Sequence, residues 1–220
     1  MKIREGLFIT FEGGEGSGKS VQSKNLRDFL ENQGFDVVLT REPGGTVGAE
    51  EIRKIVLEGD IDRWDPKTEA LLYLASRSDH WYKKIKPSLD KEKIVICDRF
   101  HDSNVVYQGI CKGVDINILN SIVQYITDGR IPDRTYLILV NPQIGIARSL
   151  SRVGNTEIRL ENMDMEFHQK VNDGFLKLSK ESPERFLVID GNQTISEISR
   201  IIEEDVLRIL DRKRLECRIN

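Results

Sequence analysis

The chain has 220 residues, with 33 Lys and Arg against 36 Asp and Glu, a net charge of −3 and 39% hydrophobic residues. That length suits one α/β domain with a sizeable core. The slightly acidic balance excludes a dedicated nucleic-acid binder, and apolar runs no longer than a strand exclude a membrane span. The start, MKIREG, lacks the apolar stretch of a signal peptide. Cys97, Cys111 and Cys217 are too few and too scattered for a disulfide frame or a zinc site, so a reduced, cytoplasmic setting is expected.

Leu7 to Phe11 reads as a buried strand. It runs into a loop carrying Gly13, Gly14, Gly16 and Gly18 that closes on Lys19-Ser20, and a helix follows with Leu26, Phe29 and Leu30 at helical spacing. Strand, loop and helix satisfy GxxxxGK[ST] in the setting that motif requires. The backbone N–H groups from Gly13 through Glu15, Ser17 and Ser20 would wrap the phosphates of a nucleoside triphosphate. Lys19 would reach the outer phosphates, and Ser20 would ligate a magnesium ion.

Further strands are expected at Val37–Thr40, Ile94–Asp98, Tyr136–Val140 and Phe186–Asp190. Helical periodicity covers roughly 18–33, 46–58, 67–86, 115–127, 142–152, 161–181 and 194–211. Strands alternating with helices predict a parallel sheet covered on both faces, in one domain spanning 1–220. Ligands of such sheets sit at the carboxyl ends of the strands, so the segments after each strand matter most.

After the second strand comes Arg41-Glu42-Pro43-Gly44-Gly45-Thr46, a tight loop with Thr46 as a candidate N-cap. On the 67–86 helix, Ala70, Leu71, Leu74 and Ala75 mark a core face. Glu69, Tyr73 and Arg77 form a separate stripe continued by Trp81, where an aromatic and an arginine one turn apart suit a planar base. The third strand ends on Asp98-Arg99: an aspartate in the Walker B position for the magnesium shell, and an arginine able to grip a phosphate. Tyr107 and Gln108 follow in the same crevice. The segment 145–161 carries Arg148, Arg152 and Arg159 around Gly154-Asn155, a pattern that suits a lid over phosphates. His80, His101 and His168 form no evident ligand cluster.

FEGGEGSGKS, TREPGGT, EALLYLASR, DRFHDSNVVYQG and the arginine lid, in this order and spacing, resemble the bacterial thymidylate kinases over essentially the whole chain. The resemblance implies an α/β nucleoside monophosphate kinase fold with a five-stranded parallel sheet, acting as a homodimer. It implies phosphoryl transfer from MgATP to dTMP, giving dTDP for dTTP synthesis. It matches Glu15 to a carboxylate that contacts the acceptor sugar's 3′-hydroxyl and Tyr73 to an aromatic that stacks on thymine. Arg77 matches a donor to thymine O4, Arg99 the acceptor-phosphate arginine, and Tyr107 and Gln108 residues lining the deoxyribose and base. Arg41 is a weaker phosphate candidate. With no arginine in the P-loop, Arg152 and Arg159 of the lid would clamp the ATP phosphates.

Three departures stand out. Val21 replaces a usual threonine, Leu139 a frequent aspartate at the end of the fourth strand, and the lid reads VGNTEIRLE, with Val153 in place of an arginine. The competing readings are a kinase of the same fold acting on another acceptor, and a nucleotide-binding switch. The latter predicts an NKxD-like guanine reader, which the sequence lacks.

Overall fold

The computed structural model describes residues 6–60, 62–151, 160 and 162–219, with side chains through Lys213. In chain order the elements are β1 (Leu7–Glu12), α1 (Lys19–Asn32), β2 (Val37–Arg41), α2 (Val47–Leu57), α3 (Pro66–His80), α4 (Lys86–Leu89) and β3 (Ile94–Asp98). There follow α5 (His101–Asn104), α6 (Ile116–Thr127), β4 (Arg134–Leu139), α7 (Pro142–Leu150), α8 (Met165–Glu181), β5 (Phe186–Asp190) and α9 (Ile195–Ile219).

The five strands are parallel in the order β2-β3-β1-β4-β5. Crossovers leave β1 in one direction toward β2 and β3 and in the other toward β4, so the strand order reverses at β1. A crevice opens there beyond the carboxyl ends. The register sets Arg41 of β2 and Phe11 of β1 on either side of Asp98 of β3, which brings three chain-distant segments to one rim.

Alternation along β1 divides the core. Leu7, Ile9 and Phe11 face α1 and α9, where Leu26, Leu30, Ile202 and Val206 close over them. Phe8 points the other way into Trp81, Phe100, Leu74 and Val123, and Glu12 ends β1 on that same face. Each fully buried Leu, Ile or Phe here contributes about 2 kcal/mol through its removal from water. The helices start where short polar side chains accept their first N–H groups. Thr46 caps α2 as expected, and Asp65, Asp115, Asn141 and Asp164 cap α3, α6, α7 and α8.

Three features of the 67–86 stretch differ from the expectation. The α-helix stops at His80 and widens into a π-helical turn over Trp81–Ile85 before α4. Pro87 has no N–H to return to the preceding turn, and the wider turn accommodates that loss. Trp81 lies in the core against Phe8 rather than extending the polar stripe. Leu71, at 58% exposure, and Ala75 face outward, because the opposite flank of α3 is occupied by Glu69 and Arg77, both buried toward the crevice. Two strand boundaries are also shifted slightly: β1 runs on to Glu12, and β4 spans Arg134–Leu139 rather than Tyr136–Val140.

Candidate active site

One cleft is lined by the predicted P-loop residues from Glu15 to Ser20 together with Arg41, Tyr73, Arg77, Asp98, Arg99, Tyr107 and Gln108. Gly13 and Gly14 are not among its lining residues, and their carbonyls accept from Lys19. Arg152 and Arg159 lie outside the described residues; of the expected lid, 145–161, Leu160 lines the cleft. α7 leans on the P-loop: a Cβ on Gly16 would lie 1.8 Å from the Gly145 carbonyl oxygen, and one on Gly145 would lie 2.3 Å from that of Glu15. Only two glycines let the loop and α7 approach so closely.

Lys19, buried at the start of α1, folds over the loop. Its Nζ donates to the carbonyls of Gly13 at 2.9 Å and Gly14 at 2.6 Å and to Ser17 Oγ at 3.2 Å. Burial, followed by the nearby charge of Arg99, brings its ammonium down to about 8. One residue on, Ser20 Oγ donates to Asp98 Oδ2 at 2.5 Å. A hydroxyl and a carboxylate side by side at the end of a P-loop are hard oxygen donors, the set a magnesium ion takes.

Arg99 follows β3 with a left-handed backbone, φ +67°. Its N–H is held by the Phe11 carbonyl at 2.9 Å. That strained turn aims the guanidinium back at the loop. Nη2 donates to Glu15 Oε1 at 2.8 Å, and Nη1 to the Gly13 carbonyl at 2.9 Å and Ser103 Oγ at 3.1 Å. Tyr107 donates its hydroxyl to the same Glu15 oxygen at 2.8 Å while Arg99 lies over its ring. Burial opposes the ionised form of Glu15, but Arg99, Lys19 and the Tyr107 hydroxyl outweigh it, lowering the carboxyl to about 2. Behind this cluster, Glu12 accepts from the Phe100 N–H at 2.8 Å and Ser103 Oγ at 2.6 Å. Burial first and Asp102 second push it up to about 8.

The far end of the cleft is built on α3 and the helical stretch after β3. Arg77 is buried, with Nε donating to Glu42 Oε2 at 2.7 Å and Nη2 reaching the same oxygen at 2.6 Å. Its Nη1 donates to Asn104 Oδ1, and its guanidinium lies 4.8 Å above the Phe100 ring. His80 braces the other Glu42 oxygen at 3.0 Å and Thr40 Oγ1 at 2.7 Å. Burial works against the Glu42 carboxylate, and Arg77 and then His80 reverse the balance to lower its pKa. Glu42, His80 and Cys97 do bring ligand atoms within 4.8 Å of one another. Each is already engaged, Cys97 Sγ by the Arg99 carbonyl at 3.1 Å.

Several residues of the cleft were not singled out in the sequence. Glu42 lay inside a loop read for its turn chemistry, and Ser103 and Asn104 lay inside a motif read only for its ends. After α5 the chain continues as a π-helical turn over Val105–Cys111, so residues 103, 104, 107 and 108 form one inward face; their three- and four-residue spacing was the available signal. Arg41 sits at the rim, 53% exposed, paired with Glu50 at 3.0 Å.

The family model of the thymidylate kinases matches residues 11–202. The chain belongs to the thymidylate kinase family. A thymidylate kinase of Ruegeria pomeroyi is 47% identical over 209 residues, covering 95% of this chain and 98% of its own length. One from Halalkalibacterium halodurans is 41% identical over 196 residues, 89% of this chain and 93% of that protein. The crystal structure of the Ehrlichia chaffeensis thymidylate kinase superposes with a TM-score of 0.73 at 35% identity, covering 94% of this chain and 99% of that one. Thymidylate kinases are nucleoside monophosphate kinases, and the five-stranded parallel sheet, P-loop and helices on both faces of this chain are those of that fold. Among the described residues no helix is long and apolar enough to cross a membrane.

Proposed function

We propose that this thymidylate kinase family member transfers the γ-phosphoryl group of ATP to dTMP, giving ADP and dTDP for dTTP synthesis. One observation carries the reading: a single cleft has the P-loop with Arg99 at one end and the Arg77–Asn104 pair beside Tyr73 at the other. That division of groups suits a nucleoside monophosphate lying with its phosphate toward the P-loop and its base toward α3.

In this reading the P-loop N–H groups and Lys19 bind the ATP phosphates. Arg99 turns its guanidinium onto the acceptor phosphate, and Glu15 and Tyr107 receive the sugar. An acceptor phosphate is already ionised near neutral pH, so the reaction needs charge placed around the moving phosphoryl group rather than a strong base. Ser20 and Asp98 would hold Mg²⁺, which when bound neutralises charge on the donor phosphates. Arg152 and Arg159 of the lid (about 145–161) would clamp the same phosphates and exclude water. Tyr73 stacks on thymine and Arg77 donates to O4, where cytosine carries an amino donor; a site that demands a hydrogen bond can discriminate by about 10⁴.

We also infer that the chain works as one domain, in the cytoplasm, as a homodimer. Cys97 and Cys111 are free thiols, as a reducing compartment requires. The outer faces of α3 and its neighbour α6 expose Leu71, Ile118 and Tyr125, the last at 82%. Burial of such apolar side chains against a second copy fits an isologous interface.

The test is ADP production from MgATP with dTMP, dUMP, dCMP, dGMP and AMP offered separately. Preference for dTMP with weaker use of dUMP is expected. A purine winner would remove the thymine assignments of Tyr73 and Arg77, and equal turnover without any acceptor would make the protein an NTPase.

A further inference from the structure

Behind the base end of the cleft runs a line of buried polar side chains that ends on a carboxylate outside the proposed machinery. Glu69, on the first turn of α3, has 0% exposure. Lys112, just past the π-helical turn, donates to both of its oxygens, at 2.7 and 2.8 Å. Gln108 Nε2 donates to Glu69 Oε1 at 2.9 Å, and Asn104 Nδ2 donates to Gln108 Oε1 at 2.8 Å. Asn104 Oδ1 then accepts from Arg77 Nη1.

The direction of every bond in this line follows from its two ends. An ammonium and a guanidinium can only donate, and a carboxylate held by an ammonium only accepts. Glu69 therefore makes Gln108 present its NH₂ inward and its oxygen toward Asn104. Arg77, from the other side, makes Asn104 present its oxygen to the guanidinium. Both amides are locked in one of their two orientations. The edge that reads the base then offers a donor, Arg77, beside an acceptor, Asn104 Oδ1. Thymine presents O4 beside N3–H, which complements that order; cytosine presents an amino group beside a bare N3, which opposes it at both atoms.

We propose that Glu69, held by Lys112, is a positioning residue that sets acceptor specificity by fixing the orientation of the Gln108 and Asn104 amides. The proposal rests on the dTMP reading above. Glu69→Gln keeps the shape but supplies an NH₂ that faces Lys112 alone in the place of Oε2, or both Lys112 and Gln108 in the place of Oε1. In the second arrangement Gln108 flips, and Asn104 follows by turning its NH₂ toward Arg77 and the base. Lys112→Met acts from the far side, since a Glu69 released from its ammonium can take up a proton and become a donor to Gln108. Lys112 is also nearer the surface, so this variant tests the idea if Glu69→Gln fails to fold.

The measurement is kcat and KM for dTMP and dCMP with saturating MgATP, for the wild-type enzyme and both variants, together with the KM for ATP and the melting temperature. The ratio of kcat/KM for dTMP over dCMP should fall roughly tenfold or more in each variant, mainly through a raised dTMP KM, with the ATP KM within about twofold of wild type. A parallel loss on both acceptors with an unchanged ratio would reduce Glu69 to a structural support and overturn the proposal. A wild-type enzyme that does not prefer dTMP would instead remove the proposed function on which it rests.

Discussion

Glu15 and Arg99, 84 positions apart in the chain, meet at 2.8 Å inside the cleft, and the same carboxylate oxygen accepts the Tyr107 hydroxyl at 2.8 Å. The pair joins the P-loop to the turn after β3, so removing one partner strands the other. Glu15→Gln should destabilise the fold by about 2 kcal/mol, below the 3–5 of a fully buried pair because both side chains keep some exposure. Thermal unfolding reads the stability loss, and a raised KM for dTMP reads the loss of sugar and phosphate positioning.

The same carboxylate governs acid behaviour. Its folded pKa of about 2 lies below the ordinary 4.5, so its contribution is complete above the unfolded value and disappears as pH falls from about 4.5 toward 2. The shift corresponds to about 3 kcal/mol. Denaturation midpoints measured across that window should fall steeply for the wild-type chain and less steeply for Glu15→Gln.

Glu12 runs the other way. Raised to about 8, it favours the fold below the unfolded value near 4.5, and that support is lost as pH rises through 8. Chemical denaturation between pH 5 and 9 should show a loss of stability toward alkali that Glu12→Gln flattens. An equally steep loss in the variant would place the titration elsewhere.

Ser20 and Asp98, in contact at 2.5 Å, are proposed to share one magnesium ion. Ser20→Ala and Asp98→Asn should each raise the Mg²⁺ concentration giving half-maximal ADP production by roughly tenfold, with the KM for dTMP nearly unchanged. A Mg²⁺ titration at fixed ATP checks this.

The lid arginines are proposed to act on the moving phosphoryl group. Arg152→Ala or Arg159→Ala should lower kcat by about 10³ while leaving dTMP binding, measured by calorimetry, close to wild type. Equal losses in kcat and dTMP affinity would mean that the arginine in question binds the acceptor instead.

On the face away from the cleft, Leu71 of α3 and Tyr125 of α6 are the proposed centre of a homodimer. Leu71→Glu combined with Tyr125→Lys should give monomers by sedimentation velocity without lowering the melting point of the isolated fold.

Much of this site was legible in the linear chain, because its chemistry depends on short-range spacing. A glycine loop between a strand and a helix must turn its N–H groups inward, so Gly13 to Ser20 could be placed before any packing was known. An apolar strand ending in Asp98-Arg99 is also a local pattern, and the alternation of strands and helices was enough to predict a parallel sheet. The sequence went astray where one helix faces three environments at once. Leu71 and Ala75 share the apolar character of Leu74 but lie on the outside of α3, while the separate stripe of Glu69, Tyr73 and Arg77 turns inward, with Tyr73 and Arg77 lining the cleft.

What tertiary structure alone decided is partnership at long range. Sequence shows Arg99 beside Asp98, but the left-handed backbone at Arg99 turns the guanidinium away from its neighbour and onto Glu15. Arg77 is visible as a base-reading candidate; that Glu42 grips it from behind and Asn104 from the side follows from the register of β2 with β3 and from α5, which ends on Asn104. The amino-acid sequence by itself determined the strand, glycine loop and helix that carry the proposed phosphate site, because Leu7 to Leu30 is one continuous stretch of chain. The direction of the buried hydrogen bonds had to wait for the fold. A donor or acceptor acquires its orientation only from the partner that packing brings to it, and here those partners come from α3, the REPGG loop and the helix after β3, which are far apart in the chain.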